Sequence, residues 1–491
     1  MSLRLRVALV VAATVAVAAA STGIATATPT GPERRHTMTT RPVHRHAAVS
    51  TTFRNPLNPG PDPFMTWYQG YYYLSTTQGD AIRIWKARSL NQLLAAPATT
   101  VWTDTDPSRN KQLWAPEFSL VDGHWYVYYT ADDGVDDHHR LYVLESSGTD
   151  PLGPYHLKAK LVPPGLDQWA IDPSLLRLGG RLYLGFSSIA AAGHNSLYLA
   201  PMSDPWTVSG PAVYLPAAGC ASDTVREAPE FLHHGSTTYL VYSSCDTGKP
   251  DYQLWMKSLS DGKDPMVASN WVQHDGPVFG RNDSTGVYGP GHNGFFTSPD
   301  GSQTWIVYGA KNTANYTYEG RTTRAQRITF RADGSPDFGV PLAAGATQAL
   351  PSGDPGSTQY WINDDNRSSG TGSVTYAGAW SSGSGCGTQC FWGDDHWTGN
   401  AGDTATFTFT GTRIALLSVR DTNYGLAAVS VDGGAETTID LYSANRTGEQ
   451  LNYLSPALSP GTHTLRVRNT GQRNASSTGT LVEIDRAEVY G

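Results

Sequence analysis

From about residue 58 to residue 310, short apolar stretches alternate with Gly turns and polar loops, and one arrangement comes round five times. Each copy has a proline, an apolar strand, a glycine turn and then an aromatic-rich strand. The copies are DPFMTWYQGYYYLSTT from Asp62, APEFSLVDGHWYVYYTAD from Ala115, DPSLLRLGGRLYLGFSS from Asp172, APEFLHHGSTTYLVYSS from Ala228 and GPGHNGFFTSPDGSQTWIVYGA from Gly289, with heads marked by Pro63, Pro116, Pro173, Pro229 and Pro290. Every head holds two hairpin-linked strands. The residues after it have room for two more, as at Leu141-Tyr142-Val143-Leu144 and Tyr252-Gln253-Leu254-Trp255-Met256. Self-similarity at this period with four strands per repeat predicts a five-bladed β-propeller over residues 51–349, and no strong amphipathic helix competes with it.

The pattern changes at LPSGDPGST, residues 350–358, which has linker composition. Beyond it, ATFTFTGTRIALLSV, LAAVSVDGG and THTLRVRNTG alternate as short strands between Gly and Asp turns, which predicts a β-sandwich of jelly-roll type over 359–491. At the other end, Arg4 and Arg6 precede the apolar run Val7–Ala20 and then Ala25-Thr26-Ala27, the order of a secretory signal peptide over 1–27. Residues 28–50 lack hydrophobic periodicity and read as a disordered lead-in. The expected class is all-β, and the expected location is extracellular.

Charge and composition narrow the partners. A net charge of -8 and a pI near 5.9 argue against nucleic acid or an anionic membrane, both of which need a concentrated basic face. With 25 Tyr, 14 Trp and only 16% charged residues, the chain suits a neutral ligand such as a sugar bound against flat side chains. The four cysteines form two local pairs, Cys220 with Cys245 and Cys386 with Cys390, and an oxidising destination lets both close. The spacing does not fit a zinc site.

In a propeller the first strand of each blade lines the central channel, so the repeat heads converge on one rim. They bring Asp62, Trp114 with Glu117, Asp172, Glu227 with Glu230, and His292. Acids that close together cannot all stay ionised, so at least one holds a proton near neutrality. Glycoside cleavage needs that division, one protonated carboxyl for the leaving oxygen and one carboxylate for attack. The plainer reading is that acids cap turns beside proline, but that habit alone does not select one rim in three blades.

These residues resemble the glycoside hydrolases of family 43, the arabinanase, α-L-arabinofuranosidase and β-xylosidase group, across roughly residues 54 to 345. The resemblance rests on NPGPDP (Asn58–Pro63), WAPE (Trp114–Glu117), IDPSL (Ile171–Leu175), REAPEF (Arg226–Phe231) and GPGHN (Gly289–Asn293), one motif per repeat in order. It implies an inverting mechanism with Asp62 as general base, Glu227 as general acid and Asp172 as the carboxylate that orients the acid and tunes its pKa. Family members more often read Glu-Gly-Pro where this chain has Glu227-Ala228-Pro229, which leaves Glu230 as a rival for the acid. Glu230 holds the place in its repeat that Glu117 holds in another, which favours Glu227.

The resemblance also places His292 near a structural calcium ion or its water, although calcium prefers oxygen ligands and a lone histidine does not establish a metal. No cofactor is required for the chemistry. Trp114 and Trp169 are candidates for stacking on a sugar or for packing, and Arg321 and Arg324 in EGRTTRAQRITF resemble an arginine-bearing closing strand that contacts sugar hydroxyls. The expected substrate is arabinan or arabinoxylan of the plant cell wall, and the expected enzyme is a monomeric α-L-arabinofuranosidase. β-Xylosidase and endo-arabinanase are the alternatives within the group. A non-catalytic propeller lectin is the rival of another class, and a sialidase is disfavoured because it needs a cluster of arginines where these repeat heads offer acids. The tail resembles galactose-binding-like modules, with Trp380, Trp392, Trp397 and Tyr424 as platform or core.

Overall fold

The structure, a computed structural model, describes residues 51–189 and 193–491. The signal segment 1–27 and the lead-in 28–50 lie outside the described residues. What is described is all-β, built from antiparallel sheets with a few single-turn 3-10 helices between them.

Each repeat closes as its own antiparallel sheet, with four strands in chain order. The first contains Phe64–Tyr68, Tyr71–Ser75, Ile82–Ala87 and Ala98–Trp102; the others begin with Lys111–Val121, Ala170–Leu178, Arg226–His234 and Tyr288–Thr297. The third sheet carries an extra strand, Val213–Leu215. The hairpins follow from turn chemistry: Gln69-Gly70 and Asp122-Gly123 hold positive φ at both central positions, as a two-residue hairpin turn demands.

Neighbouring sheets share separate apolar cores. Ile84 with Tyr129, Tyr128 with Phe186, Leu199 with Tyr242 and Val241 with Tyr308 join consecutive sheets, and Met65 with Phe296 joins the fifth back to the first. The seam between last and first is tied further. Thr52–Arg54 pairs with Thr347–Ala349, Leu57 N–H donates to Thr323 O (2.8 Å), and the Asn55 carboxamide exchanges two 2.9 Å bonds with the Ala325 backbone.

A register irregularity recurs at the heads of the last four sheets. Across all five heads, non-glycine residues stand in the left-handed region at equivalent places: Asp62, Ala115, Asp172, Ala228 and His292, with φ of 54°, 45°, 54°, 51° and 47°. Each such residue costs about 1–2 kcal/mol, so the surrounding bonds must hold it. The fifth head corrects the proline alignment read from sequence. Pairing of Gly291 with Gly309 and Gly294 with Val307 matches that of Trp114 with Thr130 and Glu117 with Tyr128, which puts Asn293 where the other heads have proline. His292, rather than a residue beside Pro290, is therefore the counterpart of Asp62 and Asp172.

Among the described residues, no strand after Ala349 pairs back into these sheets. Thr358–Asn363, Arg486–Tyr490, Arg413–Arg420 and Thr447–Leu454 form one sheet. A second runs Ser373–Ala377, Thr404–Gly411, Gly461–Asn469, Leu426–Val431, Thr437–Asp440, and a smaller third holds Ser381–Gly383, Asp395–Thr398 and Val482–Ile484. Ile362, Ile414 and Val489 of the first meet Phe407, Val429 and Val467 of the second in one core.

The segment between the two groups of sheets is pinned. Ser352 binds Asp300 (2.5 Å) and Gln303 (3.0 Å), and Asp354 accepts the Leu90 N–H (3.1 Å). Across the junction Arg88 Nε meets Glu488 Oε2 at 2.6 Å with both side chains buried, and Glu488 also accepts from Arg486 and Tyr490 at 2.9 Å. Separating such a pair strands a buried charge, at a cost of about 3–5 kcal/mol.

Candidate active site

Backbone bonds at the heads run from one sheet to the next and set the acids in place. Ala115 N–H donates to Thr77 Oγ1 (2.8 Å), Asp172 N–H to Thr130 Oγ1 (3.2 Å) and His292 N–H to Ser243 Oγ (2.8 Å), each hydroxyl lying on the second strand side of the preceding sheet. The fourth head breaks the series. Ala228 N–H donates instead to the Asp172 carboxylate (2.9 Å), and Ser187, which holds the hydroxyl's place there, has no partner for its Oγ among the described residues. Asp172 thereby fixes the backbone immediately after Glu227.

The three predicted acids come together, each within electrostatic reach of another, but their surroundings differ. Asp62 is 8% exposed. Burial alone would raise its pKa, yet Arg321 Nη1 at 2.6 Å, His292 Nδ1 at 3.4 Å and a bond from Thr77 outweigh it and hold the carboxyl below its ordinary value. Asp172 is pushed far the other way by burial and by the charges of Glu227 and Asp62. Glu227 keeps a partly open surface; burial pushes it up to about 7, against a 2.8 Å bond from the Tyr252 hydroxyl and with a further push from Asp62. Asn195 Nδ2 donates to its second oxygen at 3.0 Å. The cluster thus sets Asp62, held below its ordinary value, beside two carboxyls that burial pushes up, Glu227 to about 7.

Glu117 and Glu230 form a second pair, equivalent in register and bonded to each other beside Ser174, whose hydroxyl reaches Glu230 at 3.1 Å. Burial raises both, Glu230 to about 7.

The other predicted residues separate by location. Trp114 is the register counterpart of Glu227, half-buried, with its ring 4.1 Å from that of His139. Trp169 is half-buried at the edge of its strand, its carbonyl bonded to Ser188. Arg321 reaches Asp62 and also Thr247 (3.2 Å). Arg324, inside the strand Thr322–Phe330 that Arg321 only precedes, is wholly buried, its bonds go to Asn312 (2.6 Å) and Thr322 (3.3 Å), and none of the three acids is among its partners.

The carboxylate oxygen nearest His292, on Asp62, already faces Arg321, and the groups of three acids or cysteines close enough to share an ion, among the described residues, all lie between 364 and 395. Both cysteine pairs are bonded, Cys220–Cys245 and Cys386–Cys390.

Residues 53–336 match the family model Glycosyl hydrolases family 43. The chain belongs to that family. It is 35% identical over 319 residues to the extracellular exo-alpha-(1->5)-L-arabinofuranosidase of Streptomyces avermitilis, covering 61% of this chain and 66% of the relative. It is 30% identical over 295 residues to alpha-L-arabinofuranosidase 43 of Humicola insolens, covering 57% and 61%. The matched part therefore spans less than two thirds of either relative. The crystal structure of an alpha-L-arabinofuranosidase from Lactobacillus brevis superposes with a TM-score of 0.56 at 29% identity, over 60% of this chain and 98% of that one. Among the described residues no helix is long and apolar enough to cross a membrane.

Within this family 43 chain, several residues at the site carry no motif of their own. Tyr252, Asn195 and Thr77 support the acids from neighbouring strands and loops. Tyr316 and Tyr318, exposed and joined hydroxyl to hydroxyl at 2.6 Å, share Asp246 and stand beside Arg321, whose Nε donates to Tyr318 O at 3.3 Å.

Proposed function

We propose that this family 43 protein is a secreted, inverting α-L-arabinofuranosidase that releases terminal arabinose from arabinan or arabinose-substituted wall polysaccharide. In this reading the five sheets are blades of a propeller spanning 51–349, and 359–491 is a carbohydrate-binding β-sandwich. The observation that carries it is the division of charge: Asp62 is held ionised by Arg321, while burial lets Glu227 keep a proton to about pH 7. Asp62 activates water, Glu227 protonates the leaving oxygen, and Asp172, bonded to Ala228 N–H, sets the direction of Glu227. In this reading Trp114 and Arg321 contact the sugar, and Arg321 also keeps Asp62 charged. Two carboxyls suffice for this chemistry without a cofactor.

Assay on p-nitrophenyl α-L-arabinofuranoside and β-D-xyloside, followed by NMR of the anomer first formed on arabinan, tests the reading. Release of β-arabinose, the inverted anomer, supports it. Xyloside preference, a retained anomer, or binding without hydrolysis of either glycoside overturns it.

The charge division also sets the pH profile. Activity needs Asp62 deprotonated and Glu227 protonated, so kcat/KM is expected to persist below the ordinary carboxyl range and to fall as pH rises through about 7. A profile that climbs through neutrality contradicts these roles.

A further inference from the structure

The Cys386–Cys390 disulfide pins a loop beside the small sheet of the tail, and together they wall an open cavity of about 460 Å³. Period two in Asp395–Thr398 turns Asp395 and Trp397 to the cavity and His396 inward to Asp364 (2.6 Å). Gly383 lies flat against the Trp397 ring, where a Cβ would come within 3.0 Å of it, and Gly385 leaves the opening clear. Arg446 is fixed by Asp421 (2.8 Å), Gln389 (2.9 Å) and the Tyr424 hydroxyl (3.3 Å).

Two side chains there lack a hydrogen-bond partner among the described residues. Asp395 is 6% exposed, yet among the described residues no donor reaches its carboxylate. Its nearest cation, Arg446 Nη2, stands 3.9 Å away. That gap is too long for a hydrogen bond, but a hydroxyl oxygen about 2.8 Å from each fits between them. The Asn423 carboxamide also lines the cavity and has no hydrogen-bond partner among the described residues. Cys386 and Cys390 are tied to each other, which removes the one cysteine-bearing group that offers Asp395 as a metal ligand. Two acids and one arginine disfavour an anion.

The geometry points to a second sugar site, in which a neutral residue of the polysaccharide lies against Trp397 with one hydroxyl bridging Asp395 and Arg446 and another on Asn423. It deepens the proposed action on arabinan, on which it rests for the identity of the polymer. Linear α-1,5-arabinan in native gels reads binding, in the Asp62→Asn background so that the polymer is not consumed. Hydrolysis of p-nitrophenyl α-L-arabinofuranoside by the otherwise unaltered chain reads the acids. Asp395→Ala, Trp397→Ala and Asn423→Ala are each expected to weaken arabinan retardation about tenfold and to leave aryl glycoside kcat/KM within about twofold. Asn423 is only half-buried, so its truncation keeps the test open if the other variants fold poorly. Undiminished retardation in all three, or no retardation of the parent chain, overturns the site. Retardation that depends on these residues in a chain that hydrolyses no glycoside leaves the site standing and overturns the catalytic reading instead.

Discussion

Asp62→Asn is expected to lower kcat by about 10³- to 10⁴-fold on arabinan and aryl arabinofuranosides alike. The amide keeps the size of the side chain and can still accept from Arg321, so the fold and the sugar contacts persist. What disappears is the group that takes a proton from water. Because that step serves every substrate, the loss does not depend on the leaving group. Arg321, which faces Asp62 at 2.6 Å, loses its counter-charge, and circular dichroism checks that the variant is folded. A variant that retains more than about a tenth of the activity removes Asp62 from the role of base.

Glu227→Gln is expected to discriminate between substrates. Arabinan leaves as an alkoxide and needs a proton at the moment of cleavage, whereas a dinitrophenolate leaves without one. The loss is expected to be about 10²- to 10³-fold greater on the polymer. The fall of activity above pH 7 should vanish with it, since burial of Glu227 sets that limb. Tyr252 and Asn195 both bond this carboxyl, and glutamine keeps an acceptor for either. Glu230→Gln is the control: that residue accepts a hydrogen bond from Glu117, away from the Ala228 N–H that Asp172 binds. Wild-type behaviour of Glu227→Gln together with a leaving-group effect in Glu230→Gln would transfer the acid role to Glu230.

The repeats were legible because each sheet is a local structure, with hairpin turns, alternation and a proline at its head within one short stretch. Asp62, Asp172 and Glu227 were legible for the same reason: all three lie in those heads. The fifth head was misaligned by sequence because the position after the left-handed residue holds proline at four heads and Asn293 at the fifth, which leaves Pro290 out of register. Arg321 and Arg324 looked interchangeable in one motif, and only their partners tell them apart: Arg321, in the loop before the strand, meets Asp62, while Arg324, within it, is buried against Asn312. Tyr252, Asn195 and Thr77 could not be read because each reaches its acid from another strand or loop, Asn195 from the preceding sheet, and no motif in the chain records the contact. The pinning of residues 350–358 was hidden by composition, since the same Ser, Asp and Gly residues that make a loose tether also make the bonds to Gln303, Asp300 and Leu90.

The buried Arg88–Glu488 contact has a consequence for which chains are cut well. If the tail cavity holds sugar as proposed, a tail clamped at its base keeps that cavity at a fixed interval from the acids. Oligosaccharides too short to bridge that interval gain nothing from the second foothold, and those that reach it gain abruptly, giving a ruler-like threshold in rate against chain length.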